Sequence, residues 1–152
     1  MNQVSKTGFG VDVAAQRADE LEKRLLAVVE SGQTVLDVGC GAGGAAARMQ
    51  AVGAPVTGFA VSDFSSEWPA EKGAFIPGDV RDVAALLGTQ TFDHCLCNRT
   101  LHYVPYDVAA QVLQDLCRHV RQQLFISFSG LTSDLGQVGV YDARHEPIYT
   151  RF

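Results

Sequence analysis

Residues 35–44, VLDVGCGAGG, are the feature that most constrains how this chain folds. An apolar run with the length of a buried strand passes directly into a cluster of glycines, and small residues typical of a helix follow. Glycine permits the positive φ angles of a tight turn, and the first amide groups of a helix have no partner within it. The pattern therefore predicts a strand, a tight loop and a helix, with room for a ligand against the loop backbone.

The rest of the chain alternates between the same two patterns. Apolar residues recur at helical spacing or form short strand-like runs, which predicts helices over residues 11–30, 43–50, 83–87 and 106–122 and strands over residues 34–38, 56–61, 74–76, 92–97 and 124–129. Between the second and third strands lies a weak segment, residues 65–73, in which Pro69 limits any helix to a turn or two. Such alternation requires a mostly parallel sheet with helices on both faces, so we expect a three-layer α/β sandwich.

The pattern weakens after residue 130. Residues 137–141 and 148–152 are long enough to pair as a short hairpin, or they could be loop. We expect one domain over residues 1–152, with a core over 11–130 and a tail over 131–152. Without cover, the predicted strand at 124–129 would be an exposed apolar edge. We expect the tail, a second copy of the chain or another polypeptide to cover it, and the short tail slightly favours a homodimer.

Composition and charge exclude several classes of function. The net charge is −5 and no cluster of Lys or Arg occurs, which argues against binding to bulk nucleic acid or to an anionic membrane and favours a small-molecule or protein substrate. No apolar run approaches the roughly 20 residues of a membrane span, and the amino terminus does not resemble a signal peptide, so we expect a cytoplasmic protein.

The cysteines and histidines do not form the pattern of a metal site. Cys40, Cys95, Cys97 and Cys117 match neither a disulfide framework nor a zinc motif, and His94, His119 and His145 lack partners at ligand spacing. No G-x-S-x-G elbow is present, which argues against a serine hydrolase. We expect reduced thiols and no metal.

The glycine loop also indicates what kind of ligand it holds. Gly39, Gly41 and Gly44 fit the G-x-G-x-x-G pattern of dinucleotide sites. Asp37, just before these glycines, would repel a pyrophosphate but suits a cofactor that carries an ammonium and a sulfonium. The loop resembles the first motif of the class I S-adenosylmethionine-dependent methyltransferases, acid-x-Gly-x-Gly-x-Gly, with Asp37, Gly39, Gly41 and Gly43 at the matching positions.

The resemblance extends over roughly residues 21–130 through two further motifs. Residues 78–82, GDVRD, follow the third strand, where the family places an acid on the adenine amino group and a backbone amide on the ring; Asp79 and Val80 would take those roles. Residues 92–104, FDHCLCNRTLHYV, resemble the fourth strand and the loop that closes the cofactor site, where the backbone carbonyl of Asn98 would meet the ammonium. The resemblance thus implies a Rossmann-like fold, whose usual carboxyl-terminal strand pair is short or missing here.

The implied cofactor is S-adenosylmethionine, and the residues expected to bind it share positions at the ends of the predicted strands: Asp37, Gly39, Cys40, Gly41, Gly43, Ala60, Ser62, Asp63, Asp79, Val80 and Asn98.

One position departs from the family. Residues 56–62, VTGFAVS, resemble its second strand, but Ala60 stands where an Asp or Glu normally grips the ribose hydroxyls. The missing carboxylate would cost about 1.5–3 kcal/mol of affinity unless Asp63 or Ser62 replaces it.

Two functions from different classes therefore stay open. The first is a methyltransferase acting on a small molecule, and the second is a catalytically silent methyltransferase-like module or a truncated enzyme, which Ala60 and the short tail favour. A dinucleotide oxidoreductase is a weaker third alternative, because it too needs an acid after the second strand.

Few residues are obligatory for methyl transfer, which is an in-line displacement. His102 and Tyr103 lie on the loop expected to face the methyl group, and His102 has the intrinsic pKa of a general base, although we favour simple packing for it. Arg99 could meet an acidic substrate or, more simply, a surface carboxylate. Asp93 is expected to be structural, and Asp63 and Phe64 either flank the ribose and adenine or form an exposed turn.

Overall fold

A computed structural model describes residues 18–66, 68 and 73–128. They form five strands, β1 Val35–Val38, β2 Val56–Ala60, β3 Phe75–Pro77, β4 Phe92–Asn98 and β5 Val120–Ser127, and four α-helices, α1 Glu20–Leu26, α2 Gly44–Ala51, α3 Val83–Leu87 and α4 Tyr106–His119. Single 3-10 turns occur at Val80–Asp82 and Leu101–Tyr103. All strand pairs are parallel, in the order β3-β2-β1-β4-β5. The predicted Rossmann-like sandwich is confirmed.

Strand β1 is the centre of the sheet. Val35 pairs with Val56 of β2 on one side and with His94 of β4 on the other, and all four residues of β1 are buried. A parallel strand covered on both faces is usually apolar, which is why β1 appears in the sequence as a short apolar run, and its one interruption is the buried Asp37.

Two separate cores lie on the two faces of the sheet. The first core lies between the sheet and helices α3 and α4 and includes Leu36, Val38, Val83, Val112 and Leu116. The second core lies under α1 and α2 and includes Leu25, Val35, Met49, Val56 and Leu96. Side chains that alternate along β1 thus divide between the two cores, as expected of a strand inside a three-layer sandwich.

The connection from β2 to β3 covers the second core with aromatic side chains. Phe64 and Trp68 are both buried there, and the Trp68 indole N–H donates to the Gly73 carbonyl at 3.2 Å. Gly58 of β2 lies directly under the indole, so that a Cβ at this position would overlap the ring. The exposed-turn interpretation is therefore wrong for Phe64, whereas Asp63 is exposed.

Some predicted boundaries need correction. Helix α4 ends at His119 and β5 begins at Val120, whereas the sequence predicted a helix to residue 122 and a strand from residue 124. The next three residues, at positions 121–123, are exposed and polar, which fits the end of a surface helix as well as an edge strand. The first helix ends at Leu26, so the predicted end at residue 30 is wrong: the amides of Val28 and Val29 both donate to the Leu25 carbonyl in a turn that closes the helix. The helix begins at Glu20, where the Asp19 carboxylate caps it by accepting from the Glu22 amide.

Several predictions fall on residues that are not described. Residues 11–17 of the first predicted helix, the hairpin at 137–141 and 148–152, and His145 all lie outside the described part of the chain. Within that part, no helix is long and apolar enough to cross a membrane.

Asp93 has the structural role predicted for it. Its Oδ2 accepts from the Thr34 amide at 2.8 Å, and its Oδ1 accepts from the Arg121 guanidinium at 3.2 Å. The Thr34 amide is the main cause that lowers the pKa of Asp93; burial opposes it and Arg121 adds to it. The carboxylate therefore fixes the start of β4 to the residue before β1 and to β5.

We predict that Asp93→Asn lowers the free energy of unfolding at pH 7 by about 1.5–3 kcal/mol and flattens its acid dependence. Because folding lowers the pKa of Asp93 below its unfolded value of about 3.9, its contribution is present above that value and lost as the pH falls through the folded-state pKa. Urea unfolding at pH 7 and pH 3 measures both effects. Glu30→Gln, at an exposed carboxylate, is the control. An equal loss of stability on acidification in wild type and Asp93→Asn would contradict the assignment.

Candidate cofactor and acceptor site

The glycine loop joins β1 to α2 as predicted. Gly39, Gly41 and Gly43 have φ angles of 78°, 53° and 85°, in the region that side chains other than glycine rarely adopt. The amides of Gly39 and Cys40 both donate to the Phe59 carbonyl of β2, at 2.7 and 3.2 Å. The loop is therefore anchored to the neighbouring strand, and its turn depends on glycine.

The loop after β4 packs directly on this glycine loop. The Thr100 hydroxyl lies 3.1 Å from the Val38 carbonyl and 3.2 Å from the Asn98 carbonyl, and a Cβ on Gly39 would overlap it. Gly39 is thus needed both for its φ angle and for this close approach. The sequence did not reveal Thr100, because its partners on β1 lie about 60 positions earlier in the chain.

The interior of β1 and β4 beside this loop carries a carboxyl group and thiols. Asp37 is buried near the end of β1, and Cys40, Cys95 and Cys97 are buried too. Burial, and after it the nearby Asp37, raises the pKa of Cys97 to about 12, so its thiol stays protonated at neutral pH. None of the four cysteines is in a disulfide, and within the described residues no three His, Cys, Asp or Glu side chains are grouped to bind a metal.

The end of β2 presents a small residue where the family has an acid. Ala60 and Ser62 are buried at this end of the strand. Asp63 is exposed, and its Oδ1 accepts from the Ser65 amide at 2.9 Å and from the Ser65 hydroxyl. Asp63 is the first carboxylate after Ala60 in the sequence, and its hydrogen bonds stabilise the turn that Asp63 and Ser65 form.

At the end of β3, Asp79 begins the 3-10 turn. Its Oδ1 accepts from the Arg81 amide at 2.9 Å, and its Oδ2 pairs with the Arg81 guanidinium at 3.0 Å. Val80 is half-buried against the first core. Arg81, which the sequence analysis did not single out, therefore neutralises the acid expected at the adenine.

At the end of β4, the Asn98 side chain joins three elements. Its amide donates to the Asp19 carboxylate, which caps α1, and its side-chain oxygen accepts from the Ser127 hydroxyl of β5 at 2.5 Å. Burial alone would raise the pKa of Asp19, but hydrogen bonds from the Glu22 amide and Asn98 outweigh it and lower this pKa. Asp19 and Ser127 were missed by the sequence analysis, since they are far from Asn98 along the chain.

The two candidate catalytic residues lie in the 3-10 turn that follows. His102 is fully buried, and its ring centroid is 4.2 Å from that of Tyr103. Burial first, and then the charge of Arg99, lowers the pKa of His102 to about 4, while burial raises the pKa of Tyr103. His102 is therefore neutral at pH 7. Packing accounts for its position, and its catalytic role stays a prediction.

A cavity of about 380 Å³ opens at the carboxyl ends of β4 and β5. Its described lining combines polar, charged and apolar side chains: Asp19, Glu20, Leu21, Asn98, Arg99, Ser127 and Phe128. Arg99 meets a surface carboxylate there, as expected, because its guanidinium lies 3.9 Å from Asp19 Oδ2.

We predict that Gly39→Ala destabilises the chain more than Gly32→Ala does, by a further 1–3 kcal/mol or so. Both glycines have strongly positive φ, 78° and 87°, but a Cβ on Gly32 meets no atom within 4 Å. The difference in urea unfolding free energy therefore isolates the contact with Thr100. Equal losses in the two variants would show that the two loops are not in close contact.

The family comparison places the sequence among methyltransferases. A family model described as a methyltransferase domain matches residues 35–123, more than half of the chain. No curated protein matches the sequence.

Solved structures share the fold at low sequence identity. The PH0226 protein from Pyrococcus horikoshii OT3 is 23% identical, with a TM-score of 0.65 over 78% of this chain and 59% of that one. The magnesium protoporphyrin IX methyltransferase from Synechocystis PCC 6803, solved with bound SAH, is 22% identical, with a TM-score of 0.64 over 78% and 56%. A cyclopropane-fatty-acyl-phospholipid synthase-like protein from Lactobacillus casei ATCC 334 is 16% identical, with a TM-score of 0.58 over 68% and 46%.

The chain spans about half the length of these three structures, and likeness at this level of identity shows the fold alone. The family match is independent of that likeness and covers the glycine loop, Asp79 and the β4 loop. The chain belongs to the methyltransferase domain family, within the class I S-adenosylmethionine-dependent superfamily.

Proposed function

We propose that this chain binds S-adenosylmethionine and transfers its methyl group to a small-molecule acceptor. The observation that carries the proposal is the order of the strand ends along one edge of the sheet. Because β3, β2, β1 and β4 are parallel neighbours, Asp79, Ala60, Asp37 and Asn98 succeed one another along that edge. This is the order in which the cofactor presents its adenine, ribose and methionine parts.

The residues at this edge fit the chemistry of that cofactor in all but one place. Gly41 lets a ligand approach the loop backbone, whereas the space beside Gly39 is taken by Thr100. The buried Asp37 carboxylate suits a ligand with positive charge at its amino acid end. Ala60 offers no hydrogen-bond acceptor from its side chain to the ribose hydroxyls. The bound cofactor of the Synechocystis structure supports the same ligand here.

When bound, the cofactor supplies a methyl group activated by a sulfonium for in-line attack. The contribution of the chain is to hold that group and the acceptor in line, with the Asn98 carbonyl and Asp37 orienting the amino acid end. His102, with a pKa near 4 and no exposed surface, is a poor proton acceptor at pH 7. We therefore propose that His102 and Tyr103 shape the acceptor side of the site rather than carry protons.

A small-molecule acceptor is supported by the negative charge of the chain and by the size of the cavity beside Arg99.

We also propose that β5 is covered by the tail or a second copy, since Leu124, Phe125 and Ile126 of this edge strand are only half-buried by the described residues. A silent binding module is the second candidate, and Ala60 is the observation that favours it.

We predict that Ala60→Asp tightens the binding of S-adenosylhomocysteine by about tenfold or more, because a carboxylate that accepts ribose hydroxyls is worth 1.5–3 kcal/mol or so. Calorimetry gives the dissociation constants. Ala51→Asp, on the exposed end of α2, adds the same charge away from the site and is the control. Unchanged affinity in a folded Ala60→Asp variant would mean that another group, such as Ser62, already holds the ribose.

We predict that Gly41→Val weakens S-adenosylhomocysteine binding at least tenfold or so, because the side chain fills the space against the loop backbone. Gly88→Val is the matched control: its φ of 60° is close to the 53° of Gly41, and it lies at the opposite end of the strands, before β4. Binding is measured by calorimetry and folding by circular dichroism. If Gly41→Val binds as wild type does, the loop does not hold the cofactor.

A further inference from the structure

The cavity beside Arg99 lies one strand further along the sheet edge than the proposed cofactor site. Thr100 packs on Gly39 of the glycine loop, while its neighbours Asn98 and Arg99 line the cavity. If the cofactor spans β3 to β4 as proposed, its reactive end lies on the β4 side, next to this cavity. The following inference rests on that proposed function.

The backbone at Arg99 is unusual. Arg99 follows the last residue of β4, and both it and Asn98 line the cavity. Its φ angle is 50°, which makes it the one residue other than glycine with positive φ in the described part of the chain. Its amide is held in that conformation by the carbonyl and hydroxyl of Ser127, both at 3.1 Å. Such strained conformations concentrate at functional sites.

The guanidinium of Arg99 has hydrogen-bonding capacity to spare. Its side chain is 62% exposed, and its contact with Asp19 is 3.9 Å, too long for a hydrogen bond. The two acids in the lining have nearer partners: Asp19 accepts from the Glu22 amide and Asn98, and Glu20 pairs with Lys23 at 3.0 Å. Arg99 is thus the cation in the described lining, and although Asp19 lies beside it, its guanidinium keeps hydrogen-bond donors that an anion could take.

The other side chains that line the cavity indicate the chemistry of the rest of the ligand. Leu21 and Phe128 contribute apolar surface, whereas the side chains of Asn98 and Ser127 are already bonded to each other. A planar guanidinium receives a carboxylate or phosphate through two parallel hydrogen bonds. We propose that this cavity binds the methyl acceptor, that the acceptor is a small molecule with an apolar body and an anionic group, and that Arg99 holds that group.

The test is an NMR titration of the isotope-labelled chain, with and without saturating S-adenosylhomocysteine. Benzoate and phenyl phosphate serve as anionic probes, and benzamide is the neutral match for benzoate. We expect both anions to shift the resonances of Asn98, Arg99 and Ser127 and to bind at least about tenfold more tightly than benzamide. Arg99→Gln should lose that preference, while Arg118→Gln, at an exposed arginine of α4, should keep it.

Two results would overturn the inference. One is equal binding of benzoate and benzamide, or anion binding that survives in Arg99→Gln. The other is a loss of S-adenosylhomocysteine affinity in Arg99→Gln without any loss for 5′-methylthioadenosine, which lacks the amino acid part, since Arg99 would then hold the carboxylate of the cofactor. Failure of the wild type to bind S-adenosylhomocysteine would instead contradict the proposed function, and the titration without it would still test the anion site.

Discussion

The contact between Gly39 and Thr100 is the constraint on which the rest of the site depends. It sets the glycine loop against the loop after β4, and the amides of Gly39 and Cys40 fix the other side of the glycine loop to the Phe59 carbonyl of β2. The loop is therefore held from both neighbouring strands. Because Thr100 follows Asn98 and Arg99 directly, the same contact sets where the β4 loop begins and thus where the cavity lies.

The strands could be predicted because a strand that is buried on both faces is largely apolar, and such a segment is easily recognised in the sequence. All of β1 and most of β4 are buried, and each is a short, largely apolar segment followed by turn residues. Strand β5 has a neighbour on only one side in the described sheet, and its first half is polar, so its sequence resembles the end of α4. The burial of Trp68 could not be predicted either, because it depends on the space that Gly58 leaves ten positions earlier.

The places of the candidate site residues at the strand ends were predictable, but their hydrogen-bond partners were not. Asp79, Ala60 and Asn98 follow from the rule that ligands bind at the carboxyl ends of parallel strands. Asn98 joins Asp19 to Ser127, but these three residues come from separate segments of the chain, so no local sequence pattern indicates the contact. Arg81 is only two positions from Asp79, but whether the two side chains pair depends on their geometry and not on their spacing in the sequence.

These pairings sharpen the electrostatic argument about the ligand. The acid at the adenine end is compensated by Arg81, and the ribose position is uncharged, so the carboxylate that distinguishes one cofactor from another is Asp37. A dinucleotide would place its pyrophosphate at the glycine loop, close to this buried acid, where the low effective dielectric strengthens repulsion. A sulfonium cofactor places positive charge at the same point. The missing ribose acid would weaken both ligands alike, so in the proposed function the preference for S-adenosylmethionine rests on Asp37 and the strength of binding on the shape of the loop.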